Sequence, residues 1–181
     1  MSKKTTSPHH TVPAALITHC TAIIRGRQDA DIAAYHARTT DARLSITWGG
    51  VLVTIYNAAA AHGILEGFLA AHAAAAQLPR EIPPPAASYE APFARPTVAM
   101  EWTSRPAYAV VAQSGPAKTN DRVIHWIDLH MGPITWQIRD LVGLRSATDL
   151  LHRAYITAVA VFLDGTDYAD DPTADDHQLP A

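Results

Sequence analysis

The sequence predicts an α+β fold made of two pseudo-repeated, ββββα-like halves packed as one unit. Three observations carry this. A hairpin signature followed by an amphipathic helix occurs twice, a proline-rich stretch separates the two occurrences, and both ends of the chain are polar. In the first half Arg43-Leu-Ser-Ile-Thr-Trp alternates apolar and polar residues, Gly49-Gly50 turns, and Val51-Leu-Val-Thr-Ile-Tyr alternates again. In the second half Val123-Ile-His-Trp-Ile-Asp-Leu-His reads as a strand, Gly132-Pro133 breaks it, and Ile134-Thr-Trp-Gln-Ile-Arg alternates. Period-two alternation interrupted by a two-residue turn is a hairpin pattern. Gly50 matches Pro133 and Asn57 matches Asp140, seven residues further on in each half.

Each element follows from its local chemistry. Leu16 to Ile24 and Asp31 to Ala37 supply two opening strands in the first half, although Pro13-Ala-Ala-Leu-Ile could equally start a helix. Asn57 is a good N-cap for a helix running from Ala58 to about Gln77, whose buried face is Ile64, Leu65, Phe68, Leu69 and His72 at three/four spacing. In the second half, Thr97 to Thr103 and Ala107 to Gln113 read as strands joined at Arg105-Pro106. The second helix is expected from about Ser146, with Asp149 completing a capping box, and its face is Leu150, Leu151, Ala154, Tyr155, Ala158 and Phe162. Short turns imply antiparallel sheets, each with a helix on its apolar face. Val51, Val53, Ile55, Ile134, Trp136 and Ile138 should face the helices. Thr54, Tyr56, Thr135, Gln137 and Arg139 should point away.

Composition places the boundaries and excludes several classes. Residues 1–12 read as a disordered arm, 13–77 as the first half, 78–96 as a linker with six prolines, 97–163 as the second half, and 164–181 as a disordered tail with six aspartates. Alanine fills 34 of 181 positions and arginine outnumbers lysine 11 to 3, a GC-rich genomic bias that weakens any functional reading of arginine over lysine. Cys20, the only cysteine, rules out an internal disulfide and multi-cysteine metal sites. No apolar run approaches the ~20 residues of a membrane helix, and no signal-type stretch adjoins the N-terminus, so a cytoplasmic protein is expected. The formal charge of −3 belongs to the tail: outside residues 1–4 and 164–181, 12 basic residues face 11 acidic ones.

The tandem ββββα order, over roughly residues 14–163, resembles the layout of Whirly, PUR and mitochondrial guide-RNA-binding proteins. That resemblance concerns element order, and no family motif is matched. It implies a curved sheet that binds single-stranded nucleic acid. The residues suited to that use are Tyr56 and Trp126 as stacking platforms, with Arg43, Gln137 and Arg139 beside them on the polar-facing strand positions. Stacking on aromatic rings needs less positive charge than duplex binding does.

Competing chemistry is thinner. Asp128 and His130 share a strand face and could donate two metal ligands, but a third would have to come from Glu101 or His152. Solvated side chains on a polar face are the simpler account. His62 and His72 stand ten residues apart, a poor spacing for paired helical ligands. Cys20 beside His19, with His36 elsewhere, is better explained as a small core residue than as a nucleophile. There is no G-x-S-x-G, Walker loop or G-x-G-x-x-G. The expectation is therefore a binding protein without enzymatic activity, cofactor or metal. Its partner would be single-stranded nucleic acid or another protein. The 17% charged composition favours an exposed apolar patch and hence a homo-oligomer, at least a dimer.

Overall fold

The computed structural model describes residues 17–82, 97–117 and 122–169. The expected arm at 1–12, most of the linker and residues 170–181 lie outside the described residues. The strands are β1 (Cys20–Ile24), β2 (Asp31–Tyr35), β3 (Arg43–Trp48), β4 (Val51–Ile55), β5 (Val98–Trp102), β6 (Tyr108–Pro116), β7 (Val123–Met131) and β8 (Ile134–Ile138). The helices are α1 (Ala58–Ala71), which continues as a 3-10 turn over His72–Gln77, and α2 (Leu141–Val161), followed by a 3-10 turn over Leu163–Tyr168. The fold is α+β, and residues 20–24 and 31–35 are strands rather than a helix. Among the described residues, no helix is long and apolar enough to cross a membrane.

The two four-stranded sheets run β1-β8-β7-β6 and β2-β3-β4-β5. Each therefore takes one edge strand from the other half. β1 pairs in parallel with β8, Cys20 opposite Ile134, and β5 pairs in parallel with β4, Val98 opposite Val51. This corrects the expectation of purely antiparallel sheets: alternation shows which face a strand buries, not which strand it pairs with. The exchange is reciprocal, atom for atom. The Cys20 N–H bonds the Pro133 carbonyl (2.8 Å) as the Val98 N–H bonds that of Gly50 (3.0 Å). At the other end, the Arg139 N–H bonds the Ile24 carbonyl (2.8 Å) as the Tyr56 N–H bonds that of Trp102 (3.1 Å). Both hairpins also turn through a glycine at positive φ, Gly49 and Gly132, a conformation open to glycine without steric cost.

The helices cross over as well. α1 lies against β6 and β7, and α2 lies against β2 and β3, while the two helices pack on each other. The inward-facing residues Val53, Ile55, Ile134, Trp136 and Ile138 are buried and Val51 is half-buried. At the centre, the Trp48 and Trp136 rings stack with centroids 5.0 Å apart, and the Phe68 ring meets both at 6.0 and 5.8 Å. Offset aromatic packing of this kind adds to simple area burial. α1 is buried on nearly every side, whereas α2 keeps an exposed stripe through Arg145, Asp149, Arg153 and Ile156.

Helix ends are fixed by local caps together with groups from the opposite half. Asn57 caps α1 through Oδ1, which accepts from the Ala60 N–H at 2.7 Å. Asp164, placed in the acidic tail by sequence, instead accepts from the Ala58 and Ala59 N–H groups at 3.0 and 3.2 Å. A carboxylate at a helix N-terminus satisfies orphan donors and opposes the helix dipole. The ordered chain thus extends through the Leu163–Tyr168 turn. α2 begins at Leu141, five residues before the expected Ser146, because Asp140 is its cap. The Asp140 carboxylate is fully buried and accepts from Gly143 (2.6 Å), Gly26 (2.9 and 3.1 Å) and Ile82 (2.9 Å) N–H groups. At the far end of α2, Arg38, at φ +61°, donates its backbone N–H to the Val161 carbonyl and a guanidinium N–H to that of Phe162.

One buried charge braces the β5–β6 connection. Glu66 on α1 is fully buried and accepts a hydrogen bond from Arg105, with the His62 ring 3.4 Å away. Gly63 makes room, since a Cβ there would come within 2.5 Å of the Arg105 side chain.

Two stability measurements follow. Asp140→Ala removes one cap, worth about 1 kcal/mol, and leaves further buried N–H groups without an acceptor at about 1–3 kcal/mol each. In urea unfolding it should cost at least about 3 kcal/mol against about 1 kcal/mol for Asn57→Ala, and equal costs would contradict the junction role given to Asp140. Arg105→Ala removes the guanidinium partner of a buried carboxylate and should cost about 3 kcal/mol at neutral pH. The double variant Glu66→Gln/Arg105→Ala should recover part of that loss, and no recovery would show that Arg105 acts through packing alone.

Candidate nucleic-acid interface

The five residues singled out by sequence lie on the outward faces of the sheets, but on two different sheets. Trp126, Gln137 and Arg139 belong to β1-β8-β7-β6, and Arg43 and Tyr56 to β2-β3-β4-β5. The registers explain the groupings. Asp128 pairs with Gln137 and Ile127 with Ile138, so Arg139 falls one step further, beside Trp126. Likewise Ser45 pairs with Thr54 and Leu44 with Ile55, which sets Arg43 beside Tyr56. The two sheets thus present one arginine and one aromatic at equivalent positions, with the strands that carry them exchanged.

On the first face the side chains form a connected line. The Arg139 guanidinium lies over the Trp126 ring, 4.9 Å from its centroid, and donates to Gln137 Oε1. Gln137 Nε2 in turn donates to Asp128 Oδ1 at 3.2 Å. Burial lowers the pKa of the Arg139 guanidinium from its ordinary value, Asp128 opposes that shift, and arginine remains charged at neutral pH. Gly115 on β6 lies beside the indole, where a Cβ would come within 3.3 Å of the ring. Around this line stand Ile23, Val111 and Ile124, exposed by 61%, 40% and 41%. Such large apolar side chains, interleaved with guanidinium and amide groups, offer both faces for bases and donors for phosphates.

The second face is more acidic, and its arginine likewise lies over a ring. Arg43 lies over the Tyr35 ring at 4.9 Å, and the Tyr56 hydroxyl donates to Glu101 Oε1 at 3.3 Å. Asp31 and Glu101 add negative charge to that face, where Asp128 is the corresponding acid on the other.

Next to the first face, sequence reasoning missed Arg122 and His125. They line a cleft of about 600 Å³ that also includes Arg139, Val123 and Ile124. The available signal was the unequal length of the hairpin: β7 has nine residues and β8 five, so the head of β7 outruns its partner.

The metal and nucleophile candidates are dispersed. Asp128 is bonded to Gln137, and His130 Nδ1 lies 2.8 Å from Thr135 Oγ1. Glu101 is on the other sheet and His152 on α2, against Tyr155. Among the described residues no group of three His, Cys, Asp or Glu side chains could hold a metal ion. Cys20 is half-buried on β1, and His19 beside it pairs with the Thr21 hydroxyl. No family model, curated protein or solved structure matches the chain.

Proposed function

We propose that the protein binds single-stranded nucleic acid on the outward face of the β1-β8-β7-β6 sheet, without catalysis. The observation that carries the reading is the Arg139–Trp126 stack, set among exposed Ile23, Val111 and Ile124 with a single acid, Asp128, in the line. The tandem ββββα order, with its resemblance to Whirly and PUR proteins, implies the same use of a sheet. Near-neutral charge outside the ends suits stacking on single strands better than neutralising a duplex.

A second reading, a homo-oligomer or protein-partner interface, is favoured by the same apolar side chains at the edge strands. In that case Val111→Asp should turn a dimer into a monomer in light scattering. A monomeric wild type at high concentration would remove it.

Fluorescence anisotropy with labelled oligonucleotides of about 12 nucleotides, at about 50 mM and about 200 mM salt, tests the first reading. Single strands should bind better than duplex, and Trp126→Ala should lose about 1–3 kcal/mol of binding. Absence of single-strand binding at the lower salt would end it. Loss on Tyr56→Ala but not Trp126→Ala would move the site to the other sheet.

A further inference from the structure

The overhanging head of β7 carries an inference that rests on the binding reading and sharpens it. β8 stops at Ile138, opposite Ile127, while β7 continues back to Val123 paired only with β6. The two strands therefore project as a ribbon beyond the sheet. Facing that ribbon is the chain that leaves α1: Gln77, Pro79 and Ile82 form the opposite bank. This bank is held in place, since the Ile82 N–H is bonded to buried Asp140 and the Pro79 and Arg80 carbonyls accept from Leu141 and Val142.

The cleft between the banks, about 600 Å³, has a distinct chemistry. Arg122, Arg139 and His125 line it, Val123, Ile124 and Ile82 give it apolar walls, and among the described residues no carboxylate lines it. Among the described residues, Arg122 makes no side-chain hydrogen bond or ion pair, and Arg139 uses one N–H of its five donors on Gln137. Two guanidinium groups lining one cleft suit a tetrahedral oxyanion, which can accept from both at once. Arg139 is shared with the stack on Trp126, so an anion held here lies at the margin of the apolar face.

We propose that this cleft is a phosphate site, in which Arg122 and Arg139 bind one phosphate of a strand whose adjoining base rests against Ile124. The phosphate is supplied either by an internal phosphodiester or by a terminal phosphomonoester of the strand.

Anisotropy titrations of the full chain test it with three probes: a 5′-phosphorylated single strand, the same strand with a 5′-hydroxyl, and inorganic phosphate as competitor. Arg122→Ala should weaken strand binding several-fold and lower the slope of log affinity against log salt by about 0.7, one phosphate contact on a single strand. Arg153→Ala, on the exposed stripe of α2, should change neither. A preference for the 5′-phosphate that Arg122→Ala abolishes assigns the terminal group, and equal binding of the two strands assigns an internal phosphodiester. If the wild type binds strands but Arg122→Ala keeps both affinity and slope, the phosphate site is overturned and the sheet-face reading stands. If no strand binds, the sheet-face reading falls. Calorimetry with inorganic phosphate then decides the cleft alone: heat that disappears in Arg122→Ala supports it, and no heat in the wild type overturns it.

Discussion

A single buried carboxylate sits where the whole architecture is tied together. Asp140 accepts hydrogen bonds from its own helix at Gly143, from the end of β1 at Gly26 and from the chain leaving α1 at Ile82. Gly26 is 114 residues away in sequence. Without these donors, burying the charge would cost several kcal/mol. With them, the carboxylate becomes a geometric test that is passed only when the exchanged strand, the connecting segment and the second helix are all in place. Asn57 occupies the matching position in the other half and meets the matching neighbour, donating from Nδ2 to the Thr103 carbonyl just after β5. There the charge is supplied separately, by Asp164.

Reciprocal exchange means that neither half closes its own sheet. β1 completes the sheet of the second half, β5 that of the first, and each helix covers strands from the opposite half. Segments distant in sequence must therefore meet before either sheet is finished, and loop closure of this kind slows folding more than it costs stability. The local hairpins β3–β4 and β7–β8 can form first, because their two-residue glycine turns fix the register without outside help. The parallel edge strands gain their partners only when the halves come together. The Trp48–Trp136 stack, one ring from each hairpin, is the contact that rewards that meeting.

Much of this was legible in the residues, for definite reasons. The hairpins, the Asn57 cap and the match of Gly50 to Pro133 rest on local rules, and the structure repeats the match in its backbone hydrogen bonds. Partner choice is not local. Nothing in the alternation of Thr21 to Ile24 says that Ile24 packs beside Ile138 rather than beside a first-half strand. The start of α2 was misplaced because Ser146 and Asp149 imitate a capping box inside the helix, where Ser146 Oγ in fact donates to the Val142 carbonyl. Asp164 was assigned to the tail because its neighbours are acidic, whereas its role depends on an α1 N-terminus 106 residues away. Among the candidate site residues, polarity identified outward positions on both sheets. Only the registers could divide Trp126, Gln137 and Arg139 from Arg43 and Tyr56.

That division bears on the proposed function, because two faces built on one backbone plan, apart from the longer β6 and β7, differ in their side chains. Just as Arg139, Gln137 and Asp128 are tied to one another on the first face, the arginine beside Tyr56 lies over Tyr35 and Tyr56 itself is tied to Glu101. On the other face Ile23 stands where Glu101 stands on the second, replacing a charge with an exposed apolar side chain. The overhang of β7 then adds Arg122 at its margin. A pseudo-symmetric fold offers two comparable platforms, and on the proposed reading both the side chains and the overhang of β7 distinguish the one that would take a ligand. Covering the polar line of either face would disturb bonds already made, whereas a base that covers Ile23 or Ile124 displaces water from exposed apolar side chains. Binding energy is gained where a surface is not already satisfied by itself, and on the proposed reading the exposed Ile23, Val111 and Ile124 are what the Trp126 face offers.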